Sequence, residues 1–247
     1  MFLETIKDKK IIENINFTKI EYDTYSIIKN KNFINTIFKD SVLNYKFENC
    51  VFKNCTFISS TISGAFENCN FENSIFNKIQ LYGSSFINCV INNCNFNKFP
   101  ATYFENTTIN NSMFNNIIEN EEENFFFKNS KITSTKFENI NEFEEEICFE
   151  NSELEKVIFS NSKINFNIYS FELSKINKTL FSNVKTNYIS FWNANVLNTT
   201  IKNCSLETLK GDNNIIENLK IINSNIEKIH RISMNNSVFK NVKIYSS

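Results

Sequence analysis

Three glycines and one proline punctuate 247 residues. A sandwich or an α/β domain turns its chain with Gly and Pro, so this chain must turn by other means. There is one histidine, His230. No Ser/His/Asp or Cys/His arrangement can be built on it, because a repetitive sequence produces every spacing of Ser and Cys by default. No glycine-rich phosphate loop is present. No apolar run approaches the roughly 18 residues that a membrane span needs. The opening MFLETIKDKK carries charges where a secretory signal would have its apolar core. These absences lead to the expectation of a cytoplasmic, non-enzymatic protein with no catalytic residue, no metal and no cofactor.

Phenylalanine and asparagine are plentiful, at 27 and 46 residues. An AT-rich genome would inflate both whatever the fold, so their positions decide. Aligning FENCVFKNCTF at Phe47 with FENCNFENSIF at Phe66, FINCVINNCNF at Phe86 and FENTTINNSMF at Phe104 exposes a form Φ-x-N-x-x-Φ-x-N-x-x-Φ. Eleven such runs begin at residues 28, 47, 66, 86, 104, 127, 149, 171, 191, 216 and 234, with a weaker one at Ile12. All 33 anchor positions are large and apolar, and Asn fills 18 of the 22 positions two residues after a first or second anchor.

A period of five fits neither the 3.6 of a helix nor the alternation of a strand. It fits a square solenoid with faces of five residues, in which each run supplies three faces and each interval an irregular fourth. Steps of 18 to 25 residues between runs agree with four faces per coil. The anchors point inward and stack at the strand spacing of about 4.8 Å, which makes a rod roughly 50 Å long. The residue before each next strand also points inward, where space is short; Cys, Ser, Thr or Ala fills 18 of 22 such slots. Asn at the corner supplies the left-handed conformation usually left to Gly, and stacked Asn side chains can hydrogen-bond along the column.

The pattern resembles the pentapeptide-repeat family. Phe52, Phe57 and Phe71 take that family's central position, Cys50, Cys55, Cys69 and Ser74 its small one, and Asn49, Asn54 and Asn68 stand where Gly is common. The likeness covers residues 28–244, extending to 12–244 with the weaker run. The chain departs from the family at the residue before the anchor, which is Val51, Thr56 or Ile75 rather than a steady Asp or Asn. The resemblance implies an all-β fold, a right-handed quadrilateral parallel β-helix of eleven to twelve coils. Residues 1–11 are then an N-terminal cap, and 12–247 a single domain.

Six of seven cysteines (Cys50, Cys55, Cys69, Cys89, Cys94 and Cys204) fall in the small inward slot, which favours packing over metal or disulfide chemistry. Trp192 follows an anchor and should face outward. Charge is segregated: residues 115–159 hold twelve Glu and four Lys, whereas residues 160–247 hold five acids and eleven bases. Glu119, Glu121, Glu122 and Glu123 fall in one irregular face, and Glu142, Glu144, Glu145 and Glu146 in the next. Together they form an expected acidic ridge able to bind a partner. By family resemblance, the ridge suggests a DNA mimic that binds gyrase. The basic C-terminal third favours instead an interaction scaffold that reads a protein partner through loops at 115–126, 138–148 and 202–215, without touching nucleic acid or membrane. The repeat runs to Ile244, so a head-to-head homodimer through the last coil, or a chain shortened there, is expected.

Overall fold

The computed structural model describes residues 2–21, 24–118, 124–141 and 146–246. A short helix, Phe2–Ile6, precedes a succession of brief parallel strands, most of them three residues long. On the second face, eleven strands from Ile11–Glu13 to Ile215–Glu217 form one sheet. On the third, twelve strands stack in register, and their anchors run Phe17, Phe38, Phe57, Phe76 and so on to Ile221 and Phe239. The first face holds seven strands, from Ser26–Lys29 to Ile147–Glu150. The fourth is a separate sheet only at Val42–Leu43, Thr61–Ile62 and Gln80–Leu81. This is the quadrilateral parallel β-helix that the five-residue period calls for.

The corners explain the asparagines. Among the described residues, 35 non-glycine positions have φ near +50°, and Asn occupies 25 of them. Each such residue on the second and third faces lies two places after an inward anchor. An L-residue pays roughly 1–2 kcal/mol for this conformation, and Asn less than most because its short polar side chain bonds locally. The corner does not interrupt the ladder. Asn54 N–H donates to the Glu72 carbonyl at 2.9 Å, and two residues later Thr56 N–H donates to the Thr36 carbonyl at 3.0 Å. Corner side chains bond to one another as well. The Nδ2 of Asn183, Asn203, Asn223 and Asn241 each donates to the Oδ1 of the Asn one coil earlier, at 2.9, 3.2, 3.4 and 3.0 Å. Gly83 serves as such a corner, with φ +56°. Gly64 is required for a different reason, since a Cβ there would lie 2.3 Å from the Tyr45 carbonyl oxygen.

Inside, most anchor phenylalanines stack on their equivalents in adjacent coils and meet the neighbouring faces edge-on. Phe52 lies 5.0 Å from Phe33 and 4.9 Å from Phe71 with nearly parallel rings, while Phe47 and Phe66 approach it at 78° and 86°. Both arrangements suit the ring quadrupole, at about 0.5–1.5 kcal/mol per pair beyond the area buried. The small slot proves to be polar in purpose. Ser74 Oγ accepts the Cys55 N–H at 3.1 Å and donates to the Phe52 carbonyl at 3.1 Å, and Ser130, Ser152 and Ser174 repeat the motif. A slot hydroxyl thereby satisfies a buried amide that the corner would otherwise orphan.

Two features differ from the sequence reading. The run at Ile216 lies on the second face, paired with Val196, rather than on the first. The first-face position of that coil is Gly211, whose N–H bonds to the His230 carbonyl. A glycine where an anchor belongs hid the coil, so the step of 25 residues is a coil of 20 plus one face. Nor is 202–215 a loop, because Ser205–Lys210 is a strand within it. The strand Leu180–Ser190 passes through the Asn183 corner, merging third and fourth faces into a sheet of fifteen strands.

The two ends differ. Phe2 packs edge-on against Phe17 at 4.8 Å, and Ile6 is buried. Lys31, which breaks the small-slot rule, donates from Nζ to the carbonyls of Ile6, Lys7 and Lys9 at 2.9, 3.0 and 2.6 Å, closing the helix C-terminus. At the other end Phe239 and Ile244 hold anchor positions yet are 40% and 46% exposed.

Among the described residues, Leu173 alone places an apolar side chain in the left-handed corner, at φ 58°. Its neighbours along that corner are Asn151, which donates to Asn129 at 2.8 Å, and Asn193. Leu173→Asn should stabilise the protein by about 1 kcal/mol in urea denaturation. Phe137→Ala, which removes a ring stacked against both Phe114 and Phe159, should cost about 3–5 kcal/mol in the same measurement.

Candidate functional site

Because coils stack in register, every outward position becomes a column of side chains at the strand spacing, and chemistry directed at solvent must be read column by column. In two stretches of the first and second faces, lysine is set against glutamate. Lys46 Nζ lies 3.0 Å from Glu48 and 2.8 Å from Glu67, and Lys29 lies 2.6 Å from Glu48. Hydrogen bonds donated to Glu67 and then Glu48 hold the Lys46 amine above its ordinary value, and those accepted from Lys29 and Lys46 hold the Glu48 carboxyl below its own. Further along, Glu153 sits in register between Lys131 and Lys175, at 3.8 and 3.0 Å. Lys128 pairs with Glu150 and Lys178 with Glu155, both at 3.4 Å.

Of the expected acidic ridge, Glu119, Glu121, Glu122, Glu123, Glu142, Glu144 and Glu145 lie outside the described residues. Glu146 is described: its N–H donates to Asn124 Oδ1 at 3.2 Å, and its carboxylate accepts from Asn167 Nδ2. Trp192 is half-buried on the outside, its ring 5.0 Å from Tyr169 and beneath Lys210 Nζ at 4.9 Å. His230 is half-buried, in register with Lys210.

Beyond residue 160 the pattern of charge changes. Lys163 pairs in register with Lys185, and the same column continues through Ser205 and Asn225 to Lys243. An open cleft of about 530 Å³ runs along this column, lined by Asn161, Lys163, Asn183, Lys185, Asn203 and Asn225 among others. The sequence signal for it was available, since the three lysines share one position in the repeat. It was missed because the fourth face had been treated as irregular throughout.

All seven cysteines are buried. In the slot, Cys55 Sγ donates to the Phe33 carbonyl and Cys69 Sγ to the Phe47 carbonyl, both at 3.3 Å. Cys148, outside the slot, is buried on the first face. Burial pushes the Cys55 and Cys148 thiols up to about 12 and Cys94 to about 11, and raises Cys204 as well. Cys50 is raised first by its contact with the Cys69 thiol and then by burial. These groups remain thiols at neutral pH, and a thiol is a poor nucleophile and a poor metal ligand. Among the described residues, no group of three or more His, Cys, Asp or Glu is placed to hold a metal ion.

Stacked parallel coils, inward aromatic columns and left-handed corners every five residues define a β-solenoid of pentapeptide type. A family model for pentapeptide repeats matches residues 66–99, with eight copies. The same five-residue repeat, with its left-handed corners, runs on through the coils on either side of the matched residues. Among solved structures, it is similar to HetL, a pentapeptide-repeat protein involved in heterocyst differentiation regulation in the cyanobacterium Nostoc. That match has 8% identity and a TM-score of 0.31 over 98% of this chain and 92% of HetL. It is similar to QnrB1, a plasmid-mediated fluoroquinolone resistance protein, at 12% identity and TM-score 0.21 over 78% of this chain and 82% of that one. It is also similar to the A-module of the mannuronan C-5 epimerase AlgE6 of Azotobacter vinelandii, at 10% identity and TM-score 0.40 over 97% and 92%. Among curated proteins no sequence matches this chain.

A thiol whose value is raised by folding stabilises the native state fully below the unfolded value, near 9, and loses that contribution as pH climbs toward 12. Stability should therefore fall steeply above about pH 9. In Cys55→Ser, which places at this slot the residue that Ser74 supplies one coil later, the fall should be shallower by about 1.4 kcal/mol per pH unit. Urea titrations at successive pH values check this.

Proposed function

We propose that this protein is a non-catalytic binding scaffold whose outward columns are read by a protein partner. One observation carries the reading: reactive side chains are turned into the core as protonated thiols, while charge is set outside in registered columns on a rigid stack. A parallel stack in which each coil is bonded to the next has little freedom to open around a substrate. It offers instead a long surface, fixed in advance, on which binding costs little ordering of the scaffold itself.

Mimicry of DNA toward gyrase is the second reading, favoured by the twelve glutamates of residues 115–159. Against it, the described glutamates of that block at 150, 153 and 155 are paired with lysines, and a mimic needs its acids free.

Two measurements separate the readings. Cross-linking mass spectrometry of the protein with its captured partner should place cross-links on outward lysines along several successive coils. Cross-links confined to one terminal coil, or no protein retained, would remove the scaffold reading. In a gyrase supercoiling assay with and without a fluoroquinolone, the scaffold reading expects no change. Inhibition lost when Glu121, Glu122, Glu123, Glu144, Glu145 and Glu146 become Gln would establish the mimic instead.

A further inference from the structure

Where lysines of the first and second faces are set against a glutamate of a neighbouring coil, charge is balanced along the column; at Lys163 and Lys185 two lysines occupy directly paired positions on adjacent strands, about 4.8 Å apart along the axis. Like charges placed opposite one another on a sheet are destabilising. Among the described residues, no side-chain ion pair includes Lys163, Lys185 or Lys243, and both cleft lysines are exposed.

The surroundings of this pair are specific. On one side, Asn183 Nδ2 donates to Asn161 Oδ1 at 2.9 Å; on the other, Asn187 Nδ2 donates to Asn165 Oδ1 at 3.4 Å. An amide that donates once, as those of Asn183 and Asn187 do, keeps a second N–H for a ligand. Two ammonium groups therefore sit between two rows of amides, at the head of a cleft of about 530 Å³. The cleft continues past Asn203, Ser205, Asn223 and Asn225, and its outer column ends at Lys243. Beside the two rungs that carry Ser205 and Asn225, the next residues along the strands are Glu207 and Glu227.

We propose that this cleft binds a linear carboxylated polysaccharide, a polyuronate, lying along the rod axis with carboxylates on Lys163 and Lys185 and hydroxyls on the asparagine rows. The lining excludes the other linear polyanions. No aromatic ring lines the cleft, so the bases of a single-stranded nucleic acid have nothing to stack on. Glu207 and Glu227 oppose a chain as densely charged as a polyphosphate more than one that carries a single carboxylate on each hydroxyl-bearing sugar ring. An acidic peptide would need a free strand edge or apolar pockets. Here the Lys163 N–H is already taken by the Ile140 carbonyl, the strand Leu180–Ser190 is paired on both sides, and the apolar lining residue Val184 is buried. This inference goes beyond the scaffold reading and stands or falls separately from it, since a protein partner can use the lysine–glutamate columns of the other coils.

The test is calorimetric titration of the full chain with short polygalacturonate, set beside neutral dextran, poly-L-glutamate and oligothymidylate. Polygalacturonate should bind, more weakly as salt rises, and dextran should not. Lys163→Gln/Lys185→Gln should weaken binding about tenfold, and Lys163→Arg/Lys185→Arg should restore most of it. The unliganded Gln variant should melt no lower than the parent, because a repulsion has been removed; Lys29→Gln/Lys53→Gln, on the opposite half of the rod, should bind as the parent does. Absence of binding, binding unchanged in the Lys163→Gln/Lys185→Gln variant, or equal or tighter binding of oligothymidylate or poly-L-glutamate would overturn the proposal.

Discussion

A backbone turn with one residue held at φ near +50° two places after each inward anchor is the constraint on which the rest of the molecule depends. That conformation lets the chain leave one face and enter the next within five residues while the corner amide and the amide two residues later stay in the ladder between coils. Glycine would meet it sterically, but at an entropic cost repeated at every corner. Asparagine tolerates it, restricts the unfolded chain more than glycine does, and adds an amide that bonds to the next corner along the axis. Composition, period and shape follow from this choice of corner residue.

With the corners fixed, inside and outside divide by position alone. Anchors and slots are inward; the residues flanking each anchor are outward. Aromatic rings fill the first role because stacking at about 4.8 Å is both the strand spacing and a favourable ring separation. Hydroxyl groups suit the second because one there accepts the amide of the preceding coil, and thiols fill the same space while donating to a carbonyl. The outward positions, free of both demands, are where sequence can vary without unfolding the rod, and the differences of charge along its length are written there. Lysine–glutamate alternation and the paired lysines at 163 and 185 are two settings of the same column geometry.

Much of this was legible beforehand, and the reasons are physical. An anchor such as Phe52, a corner such as Asn54 and a slot such as Cys55 each have one role per five residues, so spacing alone assigns them. Gly211 defeated the reading because it carries no side chain to mark its place, and the next anchors, Ile216 and Ile221, fit either phase. Lys31 looked like an exception and is a cap for the helix, a role set by a contact across 25 residues. The polar function of the slot was hidden because Ser and Cys suit a small space equally well. The lysine column was hidden by its face, whose strands are two residues long in the early coils and run on from the third face only from Ser162 onward.

Asn54 offers the most direct measurement of the central constraint. It sits at φ 53° in the middle of a corner column, donating to Asn35 at 3.0 Å and accepting from Asn73 at 3.3 Å. Urea denaturation of Asn54→Gly and Asn54→Ala removes the same two side-chain bonds from each protein and leaves a difference only in the cost of the left-handed backbone. If the corner governs the fold, the alanine variant will be less stable than the glycine variant by about 1 kcal/mol. Equal stabilities, or a more stable alanine variant, would contradict the account.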